Sequence, residues 1–245
     1  MSEKYDAFSE YYRELICATK HIENEINTVN YIISDLNVNK QHSILDAACG
    51  SGDLLFHLKN NGYNDISGLD ASIGMLNKAK DVLPDIPYFH IPWEKINTQV
   101  LNKYDYIFII SISLMHALEE DFPLIFKNIY QILNDSGVFI FDNRFWTFKQ
   151  GEIIQENRSI HEYKDEAYLC ISGKKIIIDT ICRYSSNRQY IKYRIRHEKE
   201  EEYIEVSYSR TMSESLIKML YESGFSKVER KQFAKWPYEV LYAFK

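Results

Sequence analysis

The sequence predicts an α/β fold, a doubly wound and mainly parallel sheet that carries an antiparallel β insertion. Three observations predict it. Short apolar strands alternate with helices over roughly residues 40–145. A turn of small residues, Cys49-Gly50-Ser51-Gly52, separates the first of those strands from the helix after it. Between about residues 151 and 209 the side chains alternate as in hairpins, and helical spacing then returns.

Each element has its own justification. Ile22, Ile26, Val29, Ile32, Ile33 and Leu36 recur at helical spacing and give an amphipathic helix. Ser43-Ile44-Leu45-Asp46-Ala47-Ala48 reads as a short buried strand. The helix beyond the glycine turn runs through Leu54, Leu55 and Leu58 until Asn61-Gly62 closes it. Asp65 to Asp70 is a second strand. Ser72 can cap the helix through Met75, Leu76 and Ala79, because a hydroxyl there accepts an amide of the first turn. Pro84 and Pro87 bracket a loop before a short strand near Tyr88 to Ile91. The run YDYIFIIS, Tyr104 to Ser111, is the strongest buried-strand signal. A helix spans about Phe122 to Leu133, Asn134-Asp135-Ser136-Gly137 reads as a turn, and Val138 to Asn143 is another strand.

The insertion contains runs from Lys175 to Tyr184, Tyr190 to His197 and Tyr203 to Tyr208, with turns at Ser172-Gly173-Lys174 and Ser185-Ser186-Asn187. The Glu198-Lys199-Glu200-Glu201-Glu202 run reads as a solvated loop. Leu216, Ile217 and Leu220 mark a helix over Met212 to Glu222, stopped by Gly224. Two strands follow, near Lys227 to Phe233 and Tyr238 to Phe244.

A length of 245 residues suits one large domain, or one domain with an insertion. A 45% hydrophobic and 26% charged composition excludes a disordered chain. The net charge of -6 argues against a general electrostatic grip on nucleic acid. Cys17, Cys49, Cys170 and Cys182 show no metal spacing and suggest reduced thiols in a cytosol. No apolar leader and no apolar run of about eighteen residues is present, so neither secretion nor a membrane span is expected. Nineteen tyrosines against thirteen phenylalanines point to a cavity lined by rings with polar tips.

The glycine turn and its surroundings carry the chemistry. Ala48, Gly50 and Gly52 leave the backbone open to a ligand. Asp70 ends the next strand, where a carboxylate can accept the hydroxyls of an adenosine ribose. A dinucleotide site is the first competitor, but its third glycine position is Leu55. Asp46, at the end of the first strand, suits a cationic ligand such as an amino-acid ammonium better than a pyrophosphate.

LDAACGSGDLLFHL and GLDASIGMLNKAK resemble the first two motifs of class I S-adenosylmethionine-dependent methyltransferases. With YDYIFII, LNDSGVFIFDNR and the terminal helix ending in SGF, the resemblance covers most of the chain. Through DAACGSG, IPWEKI, SLMHAL and FDNRFW it is most similar to the glycine and sarcosine N-methyltransferase group and related small-molecule enzymes. The resemblance implies a Rossmann-like sheet of seven strands with an antiparallel last hairpin. It implies S-adenosyl-L-methionine as cofactor and S-adenosyl-L-homocysteine as product.

It also implies roles. Ala48 and Gly50 would meet the methionine part of the cofactor, Asp70 the ribose, and Ala71 and Met75 the adenine. Trp93 would pack at the adenine edge, and Ile110 and Ser111 would border the sulfonium. Tyr5, with Tyr11 or Tyr12, would form a lid, and His116 would lie close to the cofactor. The N-terminal arginine of that group, which pairs with the cofactor carboxylate, has no clear match; Lys20 is a nearby candidate. Arg144 would hold an anionic group of the acceptor, or could instead pair with Asp142. His116 is the best candidate base for a hydroxyl acceptor. Arg183, Arg188, Lys192, Arg194 and Arg196 form a solvated strand face or an anion-binding one.

The expected organisation is a helical lid over residues 1–40, a cofactor core over 41–150 and 209–245, and an insertion over 151–208 covering the acceptor. The expected partner is a small polar molecule in the cytoplasm, with no nucleic acid and no membrane, and a homo-oligomer stays open. A macromolecule methyltransferase and a non-catalytic S-adenosylmethionine-binding protein are the competing readings.

Overall fold

A computed structural model describes residues 6, 9, 12, 21–144, 167–171, 174–184, 187–197 and 200–245. The strands are β1 (Ile44–Asp46), β2 (Ile66–Asp70), β3 (Tyr88–His90), β4 (Tyr104–Ile109), β5 (Leu133–Asn143), β6 (Ala167–Ile171), β7 (Lys174–Tyr184), β8 (Arg188–His197), β9 (Glu200–Ser209), β10 (Lys227–Gln232) and β11 (Glu239–Phe244). The helices are α1 (His21–Asp35), α2 (Asp53–Asn60), α3 (Ile73–Val82), α4 (Ile96–Gln99), α5 (Phe122–Ile132) and α6 (Ser213–Glu222). A short 3-10 turn spans Ser113–His116.

Seven strands form one sheet in the order β10-β11-β5-β4-β1-β2-β3. β3, β2, β1, β4 and β5 run parallel, and β11 is antiparallel to both β5 and β10. This is the Rossmann-like arrangement the sequence predicts. Its residues alternate between two cores, as the two-residue period of a strand buried on both faces requires. Leu45, Ile107, Ile109, Phe139, Phe141 and Leu241 point to one side, where α5 contributes Phe122 and Phe126 and α6 contributes Leu216 and Leu220. Ile44, Phe108, Ile140, Val240 and Tyr242 point to the other, against Val29 and Ile32 of α1 and Leu54, Leu55 and Leu58 of α2. The chain leaves β1 toward β2 on one side and has β4 on the other, so the direction of winding reverses there. A crevice opens at such a point, at the carboxyl ends of the strands.

The second sheet is an antiparallel meander, β6-β7-β8-β9, between β5 and α6. Ile191, Val206 and Tyr208 join the core on the α5 side, which fixes the meander to the larger sheet. Arg188 adds polar ties. It donates to the carbonyls of His116 (3.2 Å) and Ala117 (3.1 Å) and to the hydroxyls of Ser207 (2.8 Å) and Ser209 (2.9 Å). Arg194 and Arg196 converge on the buried carboxylate of Asp179 at 2.6 and 3.1 Å. Arg188 is thus committed to the frame, whereas Arg194 and Arg196 brace Asp179 with more than a third of each side chain exposed, as a solvated face allows.

Two local expectations are corrected. Asn134-Asp135-Ser136-Gly137 lies inside β5, as an irregularity where Tyr104 faces Leu133 and Tyr106 faces Val138. Strand pairing on either side carries the segment through what local turn chemistry reads as a stop. Glu200, Glu201 and Glu202 are the first residues of β9, paired with His197, Arg196 and Ile195. Among the described residues no helix is long and apolar enough to cross a membrane.

Candidate functional site

The crevice at the ends of β1 and β4 forms a cleft with about 380 Å³ of open space. Its floor is the loop after β1. Gly50 (φ +49°) donates its amide to Asp70 Oδ2 at 2.9 Å. Gly52 (φ +83°) adopts a backbone that L side chains rarely take, and a Cβ there would stand 3.0 Å from the Ala79 Cβ of α3. The second oxygen of Asp70 accepts the Ser72 amide at 2.8 Å. One carboxylate thus ties the end of β2 to both the glycine loop and the start of α3. Burial raises the Asp70 pKa, and these backbone donors oppose the rise. Asp46, 4% exposed, accepts the Ala48 amide at 3.3 Å, and burial with the nearby Glu25 carboxylate pushes its pKa well up.

The start of α3 is capped twice. Ser72 Oγ accepts the Met75 amide at 3.1 Å, as its sequence position predicts. Asp6 accepts the Ser72 hydroxyl (2.5 Å) and the Gly74 amide (2.9 Å), the second cap of this helix. Tyr12 lines the cleft. Burial pushes its hydroxyl pKa up, helped by Glu25, Tyr208, Tyr193 and Asp70. Tyr5, Tyr11 and Lys20 lie outside the described residues.

The far wall of the cleft is a knot around Ser111. Ser111 and Ile112 both take left-handed backbone conformations, with φ of 65° and 54°. Such residues cost roughly 1–3 kcal/mol each unless the surroundings hold them. Asp142, fully buried at the end of β5, accepts both amides, at 3.1 Å from Ser111 and 2.6 Å from Ile112. Trp236 Nε1 donates to the same carboxylate at 2.8 Å. Burial nevertheless pushes the Asp142 pKa up to about 7. The Ser111 hydroxyl donates to Glu25 Oε2, and His21 Nε2 lies 3.1 Å from the Ser111 Oγ. Burial raises Glu25 to about 7 and lowers His21. The His21 ring packs on Trp236 at 5.4 Å, so α1, β4, β5 and the β10–β11 loop meet in one network.

The other side of the site is aromatic and cationic. His116 Nδ1 donates to the Ser207 carbonyl at 3.0 Å, and its ring lies 4.2 Å from that of Tyr208. Burial, with the positive Arg188 and Arg144 nearby, lowers His116 to about 4. Arg144 donates to Gln189 Oε1 at 2.8 Å and stands over the rings of Tyr208 (5.4 Å) and Tyr238 (5.8 Å). Its buried Nε has no protein partner among the described residues. No Arg144–Asp142 pair forms among them, because Trp236 and the Ser111 turn occupy Asp142.

Tyr12, Ala48, Gly50, Ile110 and Ser111 line a single cleft, with Asp46, Gly52 and Asp70 shaping its floor. Ala71 and Met75 follow at the start of α3, where Met75 is buried and the Ala71 carbonyl meets His90 Nε2 at 3.1 Å. The Trp93 indole N–H donates to the Ala47 carbonyl at 2.6 Å, which ties the loop after β3 to the residue that follows β1. Three residues of the site escape the sequence reading: Glu25, Asp142 and Trp236. Glu25 has a signal, an acid three residues after Ile22 and four before Val29, on the apolar face of α1. Trp236 has none, because its partner is 94 positions away.

Residues 44–137 match a family described as a methyltransferase domain. Protein GWCH70_2453 of Geobacillus sp. (strain WCH70) is 29% identical over 116 residues, 46% of each chain. YqeM of Bacillus subtilis (strain 168) is 26% identical over 130 residues, 51% of each. Both bear methyltransferase names, and the chain spans about half the length of these curated relatives. Among solved structures, an S-adenosylmethionine-dependent methyltransferase from Clostridium acetobutylicum ATCC 824 aligns over 98% of both chains, with 19% identity and a TM-score of 0.67. CalS10, an amino pentose methyltransferase from Micromonospora echinaspora, aligns over 91% of both at 13% identity and 0.68. The sugar N-methyltransferase KedS8 from Streptoalloteichus sp ATCC 53650 aligns over 91% of this chain and 87% of its own, at 16% and 0.67. The fold is thus the Rossmann-like fold of methyltransferases.

Proposed function

We propose that this chain is an S-adenosylmethionine-dependent methyltransferase that modifies a small polar acceptor, and that the acceptor atom is an amine nitrogen. The observation that carries the reading is the glycine loop clasped by Asp70 at the point where the sheet reverses its winding. The residues fit the cofactor. Backbone without bulky side chains faces the cleft, and its carboxylates suit a cationic ligand. Each oxygen of Asp70 accepts one amide and retains capacity for a ribose hydroxyl. Ala48 and Gly50 would hold the methionine part, Ala71 and Met75 the adenine with Trp93 at its edge, and Ile110 and Ser111 the sulfur end. Tyr12 would close the cleft together with Tyr5 and Tyr11, and Lys20 is a candidate for the cofactor carboxylate.

When bound, the cofactor supplies an electrophilic methyl group on a cationic sulfonium. The protein's task is to align the acceptor lone pair with that methyl and to exclude water, which can lower a barrier by roughly 7–11 kcal/mol. An amine needs only to arrive unprotonated. A hydroxyl would need a base, and His116, with Nδ1 committed to Ser207 and its pKa lowered to about 4, is a weak one. Arg144 offers its Nε, which has no partner among the described residues, to an anionic group of the acceptor. The glycine and sarcosine N-methyltransferase group is one home for such a site, and the similar amino-sugar enzymes mark another. Isothermal titration with S-adenosylmethionine and S-adenosylhomocysteine tests the premise. Micromolar binding of both is expected, and binding of neither overturns it.

A further inference from the structure

We propose, on the premise that the cleft takes S-adenosylmethionine, that Glu25 binds the cofactor's ammonium group. α1 carries Glu25 into the cleft beside the backbone of Ala48, Gly50 and Ser51. Its two oxygens differ. Oε2 accepts the Ser111 hydroxyl, and His21 Nε2 on the far side of that hydroxyl sets its direction. Oε1 has no protein donor among the described residues, and none of their lysines or arginines forms an ion pair with Glu25. A half-buried carboxylate that lines a cleft, with one oxygen committed, is completed by a ligand that brings both positive charge and N–H donors. Of the cofactor's groups only the ammonium has both, since the sulfonium has no N–H and the ribose hydroxyls have no charge. Two other acids stand near this end: Asp53 also lines the cleft, but its Oδ2 accepts the Ser51 hydroxyl at 2.6 Å, and Asp46 is 4% exposed, bonded back to the Ala48 amide, and not part of the cleft lining.

Glu25→Gln removes the charge and keeps the size and the oxygen that accepts from Ser111. Titration calorimetry at pH 8 compares wild type and variant with S-adenosylhomocysteine and with its deaminated analogue, which keeps the carboxylate and lacks the amine. The variant is expected to lose roughly 10- to 100-fold in affinity for S-adenosylhomocysteine and to stay within about twofold for the analogue. Retained analogue binding also shows that the cleft is folded. Equal loss of both ligands, or no loss of either, overturns the assignment. If wild-type protein binds neither, the functional reading itself falls, and this assignment falls with it.

Discussion

On the side of the site built by β1, β2, α1 and the start of α2, the chain presents the glycine-loop backbone and the carboxylates Glu25 and Asp53, with Asp46 and Asp70 behind the loop accepting its amides. On the side built by β8, β9 and the Ser113–His116 turn, it presents Arg144, Arg188, His116 and tyrosine rings. Burial acts on both sides and in opposite directions. It raises the carboxyls of the first side and lowers the imidazole of the second, because in each case it disfavours the charged form. The two sides differ in how their charges are answered. Arg188 is saturated by carbonyls and hydroxyls, whereas among the described residues Glu25 has one oxygen committed and Arg144 has one buried nitrogen without a partner. An acid wall facing a basic, aromatic wall suits a cationic cofactor on one side and a polar, anionic acceptor on the other.

The largest way to break this contrast is Asp70→Ala. It removes the acceptor of the Gly50 and Ser72 amides, so the acid wall loses its clasp. Cofactor affinity should fall about 10²- to 10³-fold, the equivalent of two hydrogen bonds to a charged group. Titration calorimetry reads it, and a loss under fivefold contradicts the clasp.

Arg144→Ala acts on the opposite wall. KM for an anionic acceptor should rise roughly 10- to 100-fold, with cofactor affinity kept within about twofold. Steady-state kinetics with matched acceptors, with and without a carboxylate, separates the cases. An unchanged KM removes Arg144 from acceptor binding.

The smallest effect is a pH dependence confined to the acid wall. Glu25 moves from 4.5 to about 7 and Asp142 from 3.8 to about 7 in the folded chain. Folded values above unfolded ones mean that these groups favour folding fully below about pH 4, and that the contribution is lost as pH rises through 7. A cationic ligand reverses the preference, because it favours the ionised carboxylate. The thermal shift given by S-adenosylmethionine should therefore grow by a few degrees from pH 5.5 to pH 8. A shift independent of pH contradicts ionisation of Glu25 on binding. His116, at about 4, adds no titration in that range.

How much of this was legible depended on distance along the chain. The glycine loop, Asp46 and Asp70 could be read because strand, turn and helix are contiguous and their residue types are set by local backbone demands. The Ser72 cap was legible for the same reason. Asn134 to Gly137 form an unpaired irregularity inside one long strand, where the sequence reads a turn between two elements, and at Glu200 to Glu202 pairing with β8 outweighs charge chemistry. Arg188 was misread because a strand pattern gives the face of a side chain and not what stands opposite it.

The sequence by itself determined the two cores, through strict alternation in β4, β5 and β11, and the place of the cleft, through the order of the strands. Tertiary structure alone decided the charge state of the walls. Asp142 meets Trp236 across 94 positions and Ser111 across 31, Glu25 meets Ser111 across 86, and Arg144 meets Gln189 across 45. Ionisation depends on burial and on neighbours within a few ångströms, and those arise only when remote segments pack together.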